Sequence, residues 1–160
     1  ALLLSAQSLA SSTEQSQNQN AEPSKDIYLS VFDKATEPMN DLKKRELSRS
    51  LKAEAVCWVV SGKFPKKVKV VETFKTQAKA KFTMENAKIE VSPNEKLHTI
   101  TSTIDSVNNG DYVMNCWEFG RWDPLGKYRL TVQVGDQKYA LSCCSSNQKN
   151  GEKYRFFTVF

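Results

Sequence analysis

From about Asp26 onward the apolar residues recur mostly at every second position, the pattern of strands that bury one face. The clearest run places Tyr128, Leu130, Val132 and Val134 on one side and Lys127, Arg129, Thr131 and Gln133 on the other. Val134 leads into Gly135-Asp136, after which Gln137, Tyr139, Leu141 and Cys143 alternate again, so a two-residue loop with glycine first predicts a tight hairpin. Asn109-Gly110 separates a strand at 97–104 from one at 111–119, and Asn150-Gly151 separates the Cys143 strand from 154–160. Earlier segments at 27–32, 53–60, 67–74, 78–84 and 88–91 are short and mostly β-branched or aromatic, which brings the count to about nine or ten strands. Helical character is confined to 38–51, with Thr36 in an N-cap place and Met39, Leu42, Leu47 and Leu51 apolar. Their spacing is irregular, and Ser48 and Ser50 weaken it, so this stretch predicts a helical turn or loop. Strands at such intervals with no helix between them predict an antiparallel sandwich or a small barrel.

At 160 residues and 18.1 kDa the chain holds one domain, expected over 26–160. A mean hydropathy of −0.53 leaves no room for several buried membrane spans. Residues 1–10, apolar and then small, resemble a signal-peptide core running into its cleavage region; an ordinary amphipathic terminus is the alternative, since the basic start is missing. No cysteine lies near that cut, so a lipid tether is not expected. Residues 11–25, rich in Ser, Gln, Asn and Glu, carry too little apolar surface to order a backbone and predict a disordered leader. The expectation is therefore a periplasmic or secreted protein.

Four cysteines, Cys57, Cys116, Cys143 and Cys144, agree with an oxidising compartment and at least one disulfide. No C-x-x-C occurs, which removes the usual spacing of redox centres and zinc ribbons. Cys57 and Cys116 are each followed by Trp, as in an inter-strand bridge with an indole packed beside it, and are the preferred pair. Pairings of Cys143 or Cys144 with either remain open, and a vicinal Cys143-Cys144 bridge would suggest a redox switch.

The order Ala53-Glu54-Ala55-Val56-Cys57-Trp58-Val59-Val60, then Cys116-Trp117, then Asp123-Pro124-Leu125-Gly126-Lys127-Tyr128-Arg129-Leu130 resembles immunoglobulin-like sandwich modules of exported bacterial proteins. The resemblance implies that Asp123, Gly126 and Tyr128 form a structural corner, the Tyr hydroxyl bonding back to the backbone. Asp to Tyr is one residue longer here than in antibody domains, and Leu130 stands where their second Cys would be. A fold is implied, not an activity.

Candidate chemistry is sparse. His98 is the single histidine, so H-E-x-x-H and two-His zinc sites are excluded, and it reads as an ordinary sheet residue. No G-x-S-x-G, Walker loop or G-x-G-x-x-G is present, and no cofactor or metal is expected. Glu118 and Asp123 flank the aromatic Phe119 and Trp122, an arrangement that would suit sugar cleavage if their separation were right. Segment 63–81 holds seven lysines, Lys63, Lys66, Lys67, Lys69, Lys75, Lys79 and Lys81, against one acid, Glu72. Strand alternation should gather several of them on one face, with Asp111, Glu118 and Asp123 balancing it elsewhere. Lysines on edge strands also discourage aggregation, which is the competing account. Arg121 and Trp122, in a loop between strands, are of types enriched at binding hot spots. The aromatic end at 154–160 suits a final core strand or, with eight strands, an outer-membrane barrel.

Formal net charge +5 and pI near 9.0 favour an acidic partner. Nucleic acid is disfavoured, because no recognition motif accompanies the lysines. Together these features predict an all-β, disulfide-stapled, immunoglobulin-like antiparallel sandwich acting as a non-catalytic binding module for a protein or an anionic envelope polymer. An immunity or inhibitor protein is one version, a surface-fibre subunit the alternative, and a carboxylate-dependent glycan-active enzyme with Glu118, Asp123 and His98 the third.

Overall fold

The computed structural model describes residues 26–146, the last three without their side chains. The expected leader, the Asn150-Gly151 turn and the strand at 154–160 lie outside the described residues. In chain order the strands are β1 (Ile27–Asp33), β2 (Asn40–Asp41), β3 (Glu46–Ser48), β4 (Glu54–Ser61), β5 (Lys67–Lys75), β6 (Lys88–Val91), β7 (Leu97–Asp105), β8 (Tyr112–Trp117), β9 (Gly126–Val134) and β10 (Gln137–Ser146). They form a four-stranded sheet, β2-β1-β4-β8, and a six-stranded sheet, β3-β10-β9-β5-β7-β6. Pairing is antiparallel throughout except where β3 runs parallel to β10 over three residues. Both sheets end in edge strands, so among the described residues this is a sandwich and not a closed barrel. Among the described residues there is no helix long and apolar enough to cross a membrane.

Alternation builds the core. Leu29 and Val31 of β1, Val56, Trp58 and Val60 of β4, and Val113 and Trp117 of β8 turn inward from one sheet. They meet Val68, Val70 and Phe74 of β5, Ile100 of β7, Tyr128 to Val134 at every second position of β9, and Leu141 and Cys143 of β10. Each fully buried side chain of this size contributes about 1.5–3 kcal/mol through lost water contact.

Two segments differ from their sequence reading. Segment 38–51 forms no helical turn; it is mostly loop, the other half of its sequence reading, interrupted by the short strands β2 and β3. Leu47 alone of its apolar set is fully buried and Leu51 stays 43% exposed, so no helical face exists to bury. Segment 78–84, expected as a strand, forms none and belongs to neither sheet. Its alternation is real: Phe82 and Met84 are half-buried while Lys81 and Thr83 are exposed. Phe82 stacks on Phe74 at 4.3 Å and meets the ring edges of His98 and Trp117 at 4.9 and 5.5 Å, closing the side of the core between the sheets.

Cys57 and Cys116 are disulfide-bonded, directly opposed on β4 and β8 with Cα atoms 4.1 Å apart. This bridge lies within one sheet. Because neighbours on a strand point to opposite faces, Trp58 and Trp117 enter the core while their cysteines face away from it. The expected indole beside the disulfide is therefore not there.

The sheets are tied instead by Glu72 of β5, which is fully buried. Its Oε1 accepts from the indole N–H groups of Trp58 (2.6 Å) and Trp117 (2.8 Å), and its Oε2 accepts from the Asn115 amide (2.9 Å). All three donors come from the opposite sheet. Burial pushes the carboxyl above the ordinary glutamate value, against those three hydrogen bonds, which favour the ionised form.

Candidate functional site: a basic pole on the six-stranded sheet

The seven lysines of 63–81 do not form one face. Lys63 pairs with Asp111, Lys67 with Asp105 at 2.9 Å and Lys79 with Glu95 at 2.8 Å. Asp111 thus neutralises a lysine of the cluster, where a separate balancing pole was expected. Lys66 precedes β5 and Lys81 sits on the unpaired segment, both exposed. Lys67, Lys69 and Lys75 share the outer face of β5, since Val68, Val70 and Phe74 between them are buried. β5 is the fourth strand of six, so these lysines protect no edge.

Lys75 is the member that acquires company. It stands opposite Arg129 of β9 on one side and Leu97 of β7 on the other, next to Lys96. Lys75, Thr76, Gln77, Lys96, Lys127 and Arg129 line an open depression of about 380 Å³. Among the described residues none of its four cations lies within ion-pair distance of a carboxylate. Next to the Arg129–Lys75 row the register places Thr131, Thr73 and Thr99 side by side across β9, β5 and β7. One further step along the strands come Gln133, Val71 and Thr101. The outer face therefore runs from cations into a row of hydroxyls.

The loop at 118–125 reaches the same end of the sandwich, because it leads directly into β9. Trp122 is 83% exposed, with the Arg121 guanidinium 4.6 Å from its ring centre. With Arg49, Ser50, Lys52, Glu54, Glu118, Phe119 and Gly120 they line a cleft of about 650 Å³. Lys34 pairs with Glu118 and Lys44 with Glu54, so the two carboxylates of that cleft are neutralised. The loop is held at three points. The Tyr128 hydroxyl donates to the Pro124 carbonyl (2.6 Å), the Gly120 N–H donates to Asp123 Oδ2 (2.6 Å), and Arg49 donates to the Asp123 carbonyl. Gly126, at φ 115°, opens β9 where a side chain would also meet Gln77 at 2.9 Å.

The residues considered for catalysis are not assembled as a pair of free carboxylates. Glu118 is engaged by Lys34, and Asp123 caps its own loop. His98 is buried on the core face with Nε2 2.9 Å from the Glu95 carbonyl. Among the described residues no group of His, Cys, Asp and Glu could hold a metal ion. Cys143 is buried opposite Tyr128. Sequence reasoning missed Lys96, Lys127 and Arg129 as partners of Lys75. Lys127 and Arg129 were visible as the polar half of the β9 alternation, but the cross-strand register that joins them to Lys75 was not.

Fold and corner define an all-β, immunoglobulin-like sandwich with a disulfide inside one sheet. Residues 27–141 match the PM0630 beta sandwich domain, and the chain belongs to that family. Among solved structures it is similar to an immunoglobulin-like protein from Pseudomonas aeruginosa, at 18% identity and a TM-score of 0.46, covering 76% of this chain and 92% of that one. No curated protein matches the chain.

Proposed function

We propose that the chain is a non-catalytic binding module of the periplasm or cell exterior that recognises an anionic partner through the basic pole of its six-stranded sheet. The observation that carries this reading is the depression bounded by Lys75, Lys96, Lys127 and Arg129, four cations gathered without a carboxylate among the described residues. Like charges brought together repel, and a second, oppositely charged molecule relieves that cost. Elsewhere on the surface Lys63, Lys67, Lys79 and Lys88 are each paired, whereas Lys66, Lys69 and Lys81 are exposed without an ion pair among the described residues and do not line the depression. The placement of Lys75 on a central strand also removes edge protection as its reason.

The test is equilibrium binding of a panel of anionic polymers to the wild-type chain and to the Lys75→Glu/Arg129→Glu variant, at about 50 and about 200 mM salt. Wild type should bind at least one polymer, more weakly at the higher salt. The charge-reversed variant should lose about tenfold or more, or about 1.4 kcal/mol. Absence of binding to every anionic polymer, or equal binding by the variant, would overturn the reading.

A further inference from the structure

We infer that the anionic partner is an acidic polysaccharide, with a pyranose ring seated on Trp122 and its acidic groups held in the depression at Lys75, Lys96, Lys127 and Arg129. This rests on the preceding proposal and narrows its partner class.

Three observations favour a sugar polymer over an acidic protein. First, Trp122 is 83% exposed in a protein whose other two tryptophans are buried. A flat indole matches the C–H face of a pyranose, and a sugar seated on it would remove apolar surface from water. Arg121 occupies a position over the ring at 4.6 Å, which restrains the indole and leaves a positive charge beside it. Second, the row next to the cations is Thr131, Thr73 and Thr99, a line of hydroxyls that can both donate to and accept from sugar hydroxyls. Third, the two features lie within the span of a short oligosaccharide. Trp122 and Lys127 are five residues apart, so their Cα atoms are at most about 18 Å from each other. The Tyr128–Pro124 and Arg49–Asp123 contacts hold the intervening loop in place, so the platform is pre-organised and not assembled on binding.

The test compares polygalacturonate and heparin, acidic polymers built of pyranose rings, with poly-L-glutamate, an acidic polymer without them. Binding is followed by intrinsic fluorescence, in which Trp122 is the exposed emitter, and by a titration that does not depend on fluorescence. At least one of the two pyranose polymers should bind more tightly than poly-L-glutamate and shift the emission to shorter wavelength. Trp122→Ala should weaken that binding about tenfold and abolish the shift, while leaving poly-L-glutamate unaffected. Trp122→Phe should keep most of the affinity. Equal affinity for all three polymers, or an unchanged affinity of Trp122→Ala for the pyranose polymers, would overturn the inference and leave the charge-based proposal standing. Absence of binding to all three would overturn both.

Discussion

Glu72 shows how one side chain can fix the relation of two sheets. Its carboxylate receives three hydrogen bonds from the opposite sheet, two of them from indole N–H groups that have no other role than to donate. Glu72→Ala would strand those donors in the core and should cost about 3 kcal/mol in urea denaturation. The pH dependence has a defined sign. Burial holds the native carboxyl above the ordinary glutamate value of 4.5, so over the window above 4.5 the folded chain keeps a proton that the unfolded chain has lost. Stability from this group is full below 4.5 and declines as pH rises toward the native value. The stability of wild type relative to Glu72→Gln should therefore fall on going from pH 4.5 upward, and a rising difference would mean that the ionised form is the preferred one inside. Asp41 runs the other way. Although its partial burial works to raise the pKa, the Ser30 hydroxyl, the Lys43 N–H and the Tyr28 hydroxyl hold its carboxyl well below the usual range. Its contribution is present above the ordinary aspartate value of 3.8 and is lost as pH falls below it. At the loop end, Tyr128→Phe removes the bond to the Pro124 carbonyl and should cost about 1 kcal/mol by the same measurement.

Among the elements, strands buried on one face were readable because alternation leaves its mark along the run, as β5 and β9 show by burying every second residue. Segment 78–84 carries the same mark without a partner strand. Phe82 and Met84 close the side of the core, and burial, not pairing, is what the pattern records. The preferred Cys57–Cys116 bridge between strands forms, whereas the indoles expected beside it do not lie there, for a related reason. Adjacent residues on a strand cannot share a face, so the two tryptophans went to Glu72 and the cysteines to the other side. That Glu72 would meet them was hidden, because contact between sheets depends on topology that local pattern does not carry. The same limit concealed the depression, whose cations come from β5, β9 and the turn just before β7. The disulfide itself joins positions 59 residues apart. On chain-entropy grounds the Cys57→Ser/Cys116→Ser variant should lose about 4 kcal/mol, read from the urea midpoint. Gly110 provides a contrasting constraint in the turn before β8. Its φ is 91° and an added Cβ would lie 2.4 Å from the Phe64 carbonyl oxygen, so Gly110→Ala should destabilise by about 2 kcal/mol although it buries more apolar surface.

Across the whole molecule paired and unpaired cations are mixed, and the depression is distinguished by lining one hollow with four cations that have no ion-pair partner among the described residues. β5 is nine residues long, which sets its two ends about 27 Å apart. At the Lys67 end Lys63 is matched by Asp111 and Lys67 by Asp105, while Lys66 and Lys69 are exposed without an ion pair among the described residues. At the Lys75 end Lys96, Lys127 and Arg129 join it without such partners among the described residues. A net charge of +5 would attract an anionic polymer to any part of the surface, whereas a site attracts it to one end. Two variants separate these cases, Lys63→Gln/Lys67→Gln and Lys127→Gln/Arg129→Gln, because each removes two positive charges and they have the same net charge. Exposed ion pairs contribute little, so the first should fold within about 1 kcal/mol of wild type. If the depression is the site, the first variant keeps its affinity for the anionic polymer to within about twofold. The second loses about tenfold and shows a shallower dependence of affinity on salt, since fewer screened contacts remain to be weakened. Equal loss by both would place the attraction in the net charge of the chain and remove the reason to assign the basic end of the sheet a partner.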